Sequence, residues 1–260
     1  MKLSIVTTLY NSEEYVWDFY DRASRAAQNL VGNDYEIIFV NDGSPDSSLD
    51  KAIQLTHEHN NIRIIDLSRN FGHHKAMMTG LEHSFGDHVF LIDSDLEEKP
   101  EWLSSFNEQM TKDSADMVYG IQDHRKGAFV EKVTGALFYK VFRLLTGVAQ
   151  PNNIVTARLM SRRYVNALIS HKERELNIGG LWIITGFIQS TQVVQKSSSS
   201  ETTYNFARKL SHLVNAITSF SSLPLVYTFY TGLLLSFSAF IFIIKLLMQF
   251  FFLAKPPDGY

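Results

Sequence analysis

The segment Glu36-Ile37-Ile38-Phe39-Val40-Asn41-Asp42-Gly43-Ser44-Pro45-Asp46 decides the fold. Its apolar stretch, residues 37–40, shows no polar alternation, as expected of a strand buried on both faces in a parallel sheet. The stretch stops at Asn41-Asp42-Gly43-Ser44. Pro45-Asp46 then signals a helix, since proline is preorganised for the first helical turn. Working outward, the same order recurs. Residues 3–9, 36–40, 62–67 and 89–92 read as strands, and residues 12–30, 45–58 and 73–83 as helices between them. Ser12 followed by Glu13 and Glu14 marks the start of the first helix. Alternating strand and helix predicts a doubly wound α/β domain whose ligand lies beyond the carboxyl ends of the strands.

The 260 residues carry a formal net charge of −3 and no cysteine. Without cysteine there is no disulfide framework, thiolate zinc site or cysteine nucleophile. The small net charge conceals an asymmetry. Residues 1–118 hold 9 Lys+Arg against 21 Asp+Glu, a balance of −12, and residues 119–260 hold 15 against 6, a balance of +9. Two different partners are expected of two such halves. Residues 225–244 form a 20-residue stretch without a charge, and apolar character resumes after Lys245 as far as Ala254. About 20 apolar residues suffice to cross a bilayer as a helix, so a transmembrane segment is expected. The apolar run at residues 3–9 is too short for a signal peptide.

Between these features lie two amphipathic stretches. Residues 127–145 place Val130, Val133, Leu137, Val141 and Leu144 at helical spacing, and a core-facing or a membrane-facing helix fits equally. Residues 206–220 lead directly into the membrane segment and read as an interfacial helix, preceded by a short serine link at 197–200.

The chemistry is expected at two acidic strand ends. Asn41-Asp42-Gly43-Ser44 follows the second strand, and Asp93-Ser94-Asp95 follows the fourth. An Asp-x-Asp pair there offers two hard oxygen ligands to one crevice, which suits Mg²⁺ or Mn²⁺ and through it a diphosphate. No G-x-G-x-x-G or Walker loop is present in the sequence, which disfavours a dinucleotide cofactor or ATP hydrolysis. His73-His74 is not read as a metal site, because adjacent helical residues diverge.

Several further stretches carry a resemblance to a known family. They are Ser4-Ile5-Val6-Thr7-Thr8-Leu9-Tyr10-Asn11, residues 38–46, and Leu67-Ser68-Arg69-Asn70-Phe71-Gly72 running on to Gly80. Phe90-Leu91-Ile92-Asp93-Ser94-Asp95-Leu96 with Pro100-Glu101, and Arg125-Lys126-Gly127 ahead of Phe138-Tyr139, continue the series. Arg158-Leu159-Met160-Ser161-Arg162, Trp182 with Gly186, Tyr204 with Arg208, and residues 217–225 complete it. In this order the chain resembles family 2 glycosyltransferases of the GT-A fold, in particular the polyprenyl-phosphate glycosyltransferases. That group includes dolichol-phosphate-mannose synthase and bacterial undecaprenyl-phosphate glucosyl- and aminoarabinosyltransferases.

The resemblance implies a GT-A, Rossmann-like catalytic domain over residues 1–200, with a nucleotide-sugar half (1–120) and an acceptor half (121–200). An interfacial amphipathic helix (201–222), a transmembrane segment (223–254) and a tail (255–260) follow. By the same resemblance Thr8, Tyr10, Glu13 and Asp42 would bind a UDP- or GDP-sugar. Asp93 and Asp95 would be catalytic and, with Glu97, would hold Mg²⁺ or Mn²⁺. Glu97 stands where relatives often carry Gln, and a carboxylate favoured by a helix N-terminus is the competing reading.

A polyprenyl phosphate as acceptor gives the basic half a purpose, and Arg125, Lys132, Arg158 and Arg208 are the candidates to bind its headgroup. Its oxygen is already largely ionised at neutral pH, so no general base is required. The implied reaction inverts the anomeric centre. The implied setting is a bacterial inner membrane with the catalytic domain on the cytoplasmic side, the lipid bilayer as a partner, no nucleic acid, and room for a homo-oligomer. Departures from the family pattern are Thr8 for a frequent Pro, Val155-Thr156-Ala157 ahead of Arg158, and Gln122 for a frequent Arg. These leave two competing readings: transfer to another glycan or lipid acceptor, and a catalytically dead membrane adaptor. The Gln-x-x-Arg-Trp motif of processive members is absent.

Overall fold

A computed structural model describes residues 2–122, 153–171, 178–197 and 223–252. The stretches read as helices at 127–145 and 206–220 lie outside the described residues, as do Arg125, Lys132, Arg208 and the tail.

The four strands expected from the sequence form: β1 (Leu3–Leu9), β2 (Tyr35–Asn41), β3 (Ile62–Asp66) and β4 (His88–Leu91). Three more follow: β5 (Met117–Gln122), β6 (Ile154–Ser161) and β7 (Gln189–Val194). The sheet order is β3-β2-β1-β4-β6-β5-β7. β6 is antiparallel to both its neighbours while every other pairing is parallel, so among the described strands β6 alone runs against the sheet. The chain order reverses between β1 and β4, which opens a crevice at their carboxyl ends.

Strand alternation sorts the apolar side chains into two cores. Leu3, Ile5, Ile37, Phe39 and Phe90 face α1 (Val16–Val31), α2 (Ser48–Glu58) and α4 (Trp102–Asp113). Val6, Ile38, Val40, Val89 and Leu91 face α3 (His73–Glu82), α5 (Arg162–Ile169) and α6 (Ile178–Ile184). Side chains thus leave both faces of β1, β2 and β4 for buried cores, as the unbroken apolar runs predict. α3 packs close against the sheet because Gly80 has no side chain. A Cβ there would stand 2.4 Å from Val6 Cγ1 and 2.9 Å from Val40 Cγ2.

Two helices begin later than the sequence signals imply, for one reason. Ser12 donates its amide to Ser48 Oγ (3.0 Å), and Glu13 donates its amide to the Asp46 carboxylate (3.0 Å). Asp46 Oδ1 in turn accepts from the Ser48 amide (3.1 Å) and from the Ser44 and Ser48 hydroxyls. The loops before α1 and α2 therefore bond each other, and α1 starts at Val16 and α2 at Ser48.

α7 (Leu223–Phe252) has 30 residues, and none of its apolar 225–252 stretch is buried against the rest of the molecule. At about 1.5 Å per residue, a helix of this length exceeds the roughly 30 Å of bilayer hydrocarbon. It is long and apolar enough to cross a membrane.

Candidate active site

The carboxyl ends of β1, β2 and β4 bring together residues from three loops. Asp93 and Asp95 follow β4, and Ser94 between them turns the other way. Its hydroxyl donates to the Thr8 carbonyl (2.9 Å) and lies 3.2 Å from Ser12 Oγ. That anchorage pins the Asp-x-Asp turn to the end of β1. Leu96 then adopts a positive φ of 60°, and the Glu97 amide donates to Asp95 Oδ1 (3.0 Å).

Asp93 lies beside His73, with Nε2 3.2 Å from Oδ1. The approach is an ion-pair contact but does not meet hydrogen-bond geometry, and Asp93 Oδ1 is a buried oxygen without a hydrogen-bond partner among the described residues. His73 Nδ1 stands 3.0 Å from Thr8 Oγ1. Burial raises Asp93, and His73, the Thr156 side chain and the Lys196 charge together outweigh that, so its carboxyl sits below the usual range. Burial lowers His73, and Asp93 with more distant acids lifts the imidazole above its ordinary value. Asp95 is raised by desolvation and by the charges of Asp93 and Glu97.

Two adjacent acids, Glu97 and Glu98, have different surroundings. Glu97 lies 3.6 Å from Lys196 Nζ, and its carbonyl accepts from the Ser197 amide (3.0 Å). Glu98 is fully buried. It accepts from the Thr156 amide (2.9 Å), the Ala157 amide (2.7 Å) and Lys196 Nζ (3.0 Å). Burial and the Asp93 charge push Glu98 up, yet each of these three partners is a donor, which favours the carboxylate. Burial lowers Lys196, and the surrounding acids more than compensate, so it stays charged.

The expected nucleotide-binding residues gather at the crevice in unequal states. Tyr10 is half exposed. Asp42 is buried, accepting from the Phe71 amide on Oδ1 (2.7 Å) and the Gly72 amide on Oδ2 (3.1 Å). Beside it Gly43, at φ +61°, lets the loop touch the Arg69-Asn70 backbone, where a Cβ would stand 2.5 Å from the Asn70 nitrogen. The Glu13 carboxylate is turned to α2, where it accepts from the Ser47 amide (3.0 Å).

The Asp46 node carries a pH prediction. Desolvation would raise Asp46, but the Ser44 and Ser48 hydroxyls and the Glu13 and Ser48 amides bring it down to about 2. A depressed carboxyl contributes stability above its unfolded value, which is lost as pH falls through the folded value. Asp46→Ala is expected to cost about 1 kcal/mol at pH 7, as for loss of a helix cap. Its stability difference from wild type should shrink between pH 4 and pH 2. Denaturant unfolding across that range checks it, and a pH-independent difference would refute it.

The structure departs from expectation at Arg158. A phosphate-binding arginine near the membrane was expected, but Arg158 is 1% exposed. Its guanidinium donates to the carbonyls of Thr156 (2.8 Å) and Val155 (2.9 Å) and stacks on the Trp182 indole. The reason is its register on β6, opposite Leu91 and Tyr119 in the middle of the sheet. Burial lowers its pKa to about 9, which still leaves it charged at neutral pH. Asp93, Asp95 and Glu97 are likewise not gathered into a three-ligand cage, and among the described residues no group of three or more His, Cys, Asp or Glu is placed to hold a metal alone. His73, Glu98 and Lys196 were missed, because no sequence motif marks them and each owes its place to a long-range contact.

A mostly parallel sheet with acidic loops at its switch point, and an Asp-x-Asp pair beyond β4, defines a GT-A-type glycosyltransferase domain. The chain belongs to glycosyl transferase family 2, whose model matches residues 4–169. A Mycobacterium tuberculosis protein described among the glycosyltransferases is 51% identical over 232 residues, covering 89% of this chain and 68% of that one. The prophage bactoprenol glucosyl transferase homolog of Escherichia coli is 28% identical over 268 residues, covering 100% of this chain and 85% of that one. Among solved structures, the Pyrobaculum calidifontis mannosyltransferase PcManGT, in complex with GDP-Man and Mn²⁺, superimposes with a TM-score of 0.58 at 16% identity. That match covers 83% of this chain and 62% of the mannosyltransferase, so the chain spans less than two thirds of it. At that identity the likeness shows the fold.

Proposed function

We propose that this chain transfers a sugar from a nucleoside diphosphate sugar to a polyprenyl phosphate at a membrane surface, with inversion and with a divalent cation. The observation that carries the reading is the Asp93–Asp95 turn. It joins a buried oxygen lacking a hydrogen-bond partner among the described residues to a second carboxyl whose proton affinity is raised by desolvation and by the neighbouring charges of Asp93 and Glu97. A cation relieves both conditions, and two carboxylates with substrate phosphates are an ordinary Mg²⁺ environment. Asp93 and Asp95 would hold the ion, and when bound it would neutralise charge on the departing nucleoside diphosphate. Tyr10 and Thr8, at the end of β1, and Asp42, after β2, would line the nucleotide side. Asp42 would do so indirectly, by holding the Phe71-Gly72 backbone.

The acceptor reading is supported by similarity, along the whole of this chain and 85% of the relative, to a bactoprenol glucosyl transferase homolog and by a helix long enough to span a bilayer. A phosphate monoester has its second pKa at about 6 and arrives as an anion. Its oxygen forms the bond to the anomeric carbon as the bond to the nucleoside diphosphate breaks, and no protein base has to take a proton. Arg125, Lys132 and Arg208 are the proposed headgroup contacts, and Arg158 is not among them. The active domain would lie on the cytoplasmic face.

Incubating the full chain with undecaprenyl phosphate, Mg²⁺ or Mn²⁺ and a panel of UDP- and GDP-sugars should give a labelled lipid-linked sugar phosphate. Labelled product only with another acceptor would move the reading to a different lipid or glycan. No product across the panel, with nucleotide binding intact, would favour the adaptor reading.

A further inference from the structure

We propose that His73 is a positioning residue of the transfer site. Its imidazole ties Thr8 at the end of β1 to Asp93 beyond β4, and so sets the carboxylate that a divalent cation would meet. The inference rests on the transferase reading above and goes beyond it by assigning a role to a side chain that is not itself a ligand. The geometry has three parts. Nδ1 is 3.0 Å from Thr8 Oγ1, and Nε2 is 3.2 Å from Asp93 Oδ1. β1 and β4 are adjacent in the sheet, paired through Val6 and Leu91, so the ring bridges the two strand ends across the switch point. The ring is itself held from behind. His73 is the first residue of α3, and the Phe71 and Gly72 amides just before it are clasped by both oxygens of the buried Asp42.

The partners assign the proton. An ionised carboxylate can only accept, so Nε2 carries a hydrogen toward Asp93, and in the neutral ring Nδ1 accepts from the Thr8 hydroxyl. Because the Nε2 contact is off-line, it orients Asp93 without saturating Oδ1, which stays buried and open to a stronger ligand. Side chains that orient a metal-binding group from behind commonly change metal affinity by about 10–100-fold when removed.

The test uses the full chain in detergent and follows Mn²⁺ binding by the electron-paramagnetic resonance signal of the free ion, with UDP or GDP present. Three variants separate positioning from packing. His73→Ala removes both contacts. His73→Gln places an amide donor near the Nε2 position and so keeps the Asp93 contact. His73→Asn reaches only as far as Nδ1 and so keeps the Thr8 side. Wild type should bind Mn²⁺ with nucleotide. His73→Ala and His73→Asn should weaken it by about 10–100-fold, and His73→Gln should restore most of the loss. A packing role would not distinguish Gln from Asn in this order. Equal Mn²⁺ affinity in wild type and His73→Ala, or equal loss in the Gln and Asn variants, overturns the role of His73 alone. A wild type that binds no Mn²⁺ with either nucleotide overturns the divalent-cation part of the proposed function, and this role with it.

Discussion

Asp95→Asn is expected to lower lipid-linked sugar formation by at least about 10²–10³-fold, the scale seen when one preorganised charge-stabilising group is lost. The protein should remain folded. Asparagine keeps an oxygen for the Glu97 amide, which now donates to Asp95 Oδ1 at 3.0 Å, so the turn survives. It also removes a negative charge from a cluster that raises the proton affinity of Asp95 itself. Thermal stability measured without metal should therefore be unchanged or slightly higher, while Mn²⁺ binding falls. Retained transfer at wild-type rate would remove Asp95 from the site. A collapse of the thermal transition would show instead that the turn depends on the charge.

Glu98→Ala is expected to have the largest effect on stability. Glu98 is fully buried, and its oxygens satisfy the amides of Thr156 and Ala157 and the ammonium of Lys196. Truncation leaves two strand amides unpaired and Lys196 with only the more distant Glu97 carboxylate. Breaking a buried pair from one side costs about 3–5 kcal/mol. At roughly 2–4 °C per kcal/mol for a domain of this size, the melting temperature should drop on the order of 10 °C. Removing the stranded cation as well, in Glu98→Ala with Lys196→Met, should recover part of the loss. Calorimetry on the two proteins decides the matter, and a single variant melting within a degree of wild type would show that the pair is dispensable.

These two neighbouring acids mark how far the sequence could be read. The place of Asp95 beyond β4 was legible because an Asp-x-Asp pair at the end of an apolar strand is a local pattern. Glu98 was not. It lies three residues later in the same acidic run, yet its function depends on β6 and on the segment after β7. Glu97, expected as a metal ligand, lies 3.6 Å from Lys196 Nζ. Arg158 shows the same limit from the other side. A positive charge in the basic half pointed to phosphate, whereas the β6 register places it between Tyr119 and Leu91 under Trp182. His73-His74 was not read as a metal pair. The link of His73 to Thr8, 65 residues away, carried no signal in the sequence.

The sequence by itself determined the alternation of strand and helix through β4, the acidic ends of β2 and β4, and a C-terminal helix of membrane-spanning length. Each is a property of contiguous residues, set by side-chain period, turn chemistry or apolar length. Only the tertiary structure decided the reversed β6, the burial of Arg158, the Glu98–Lys196 pair and the His73 bridge. Those depend on strand register and order, and a one-residue slip in register turns a side chain to the opposite face of the sheet. Charge composition names the residues that want a partner, and the packing of distant strands chooses which partner each one meets.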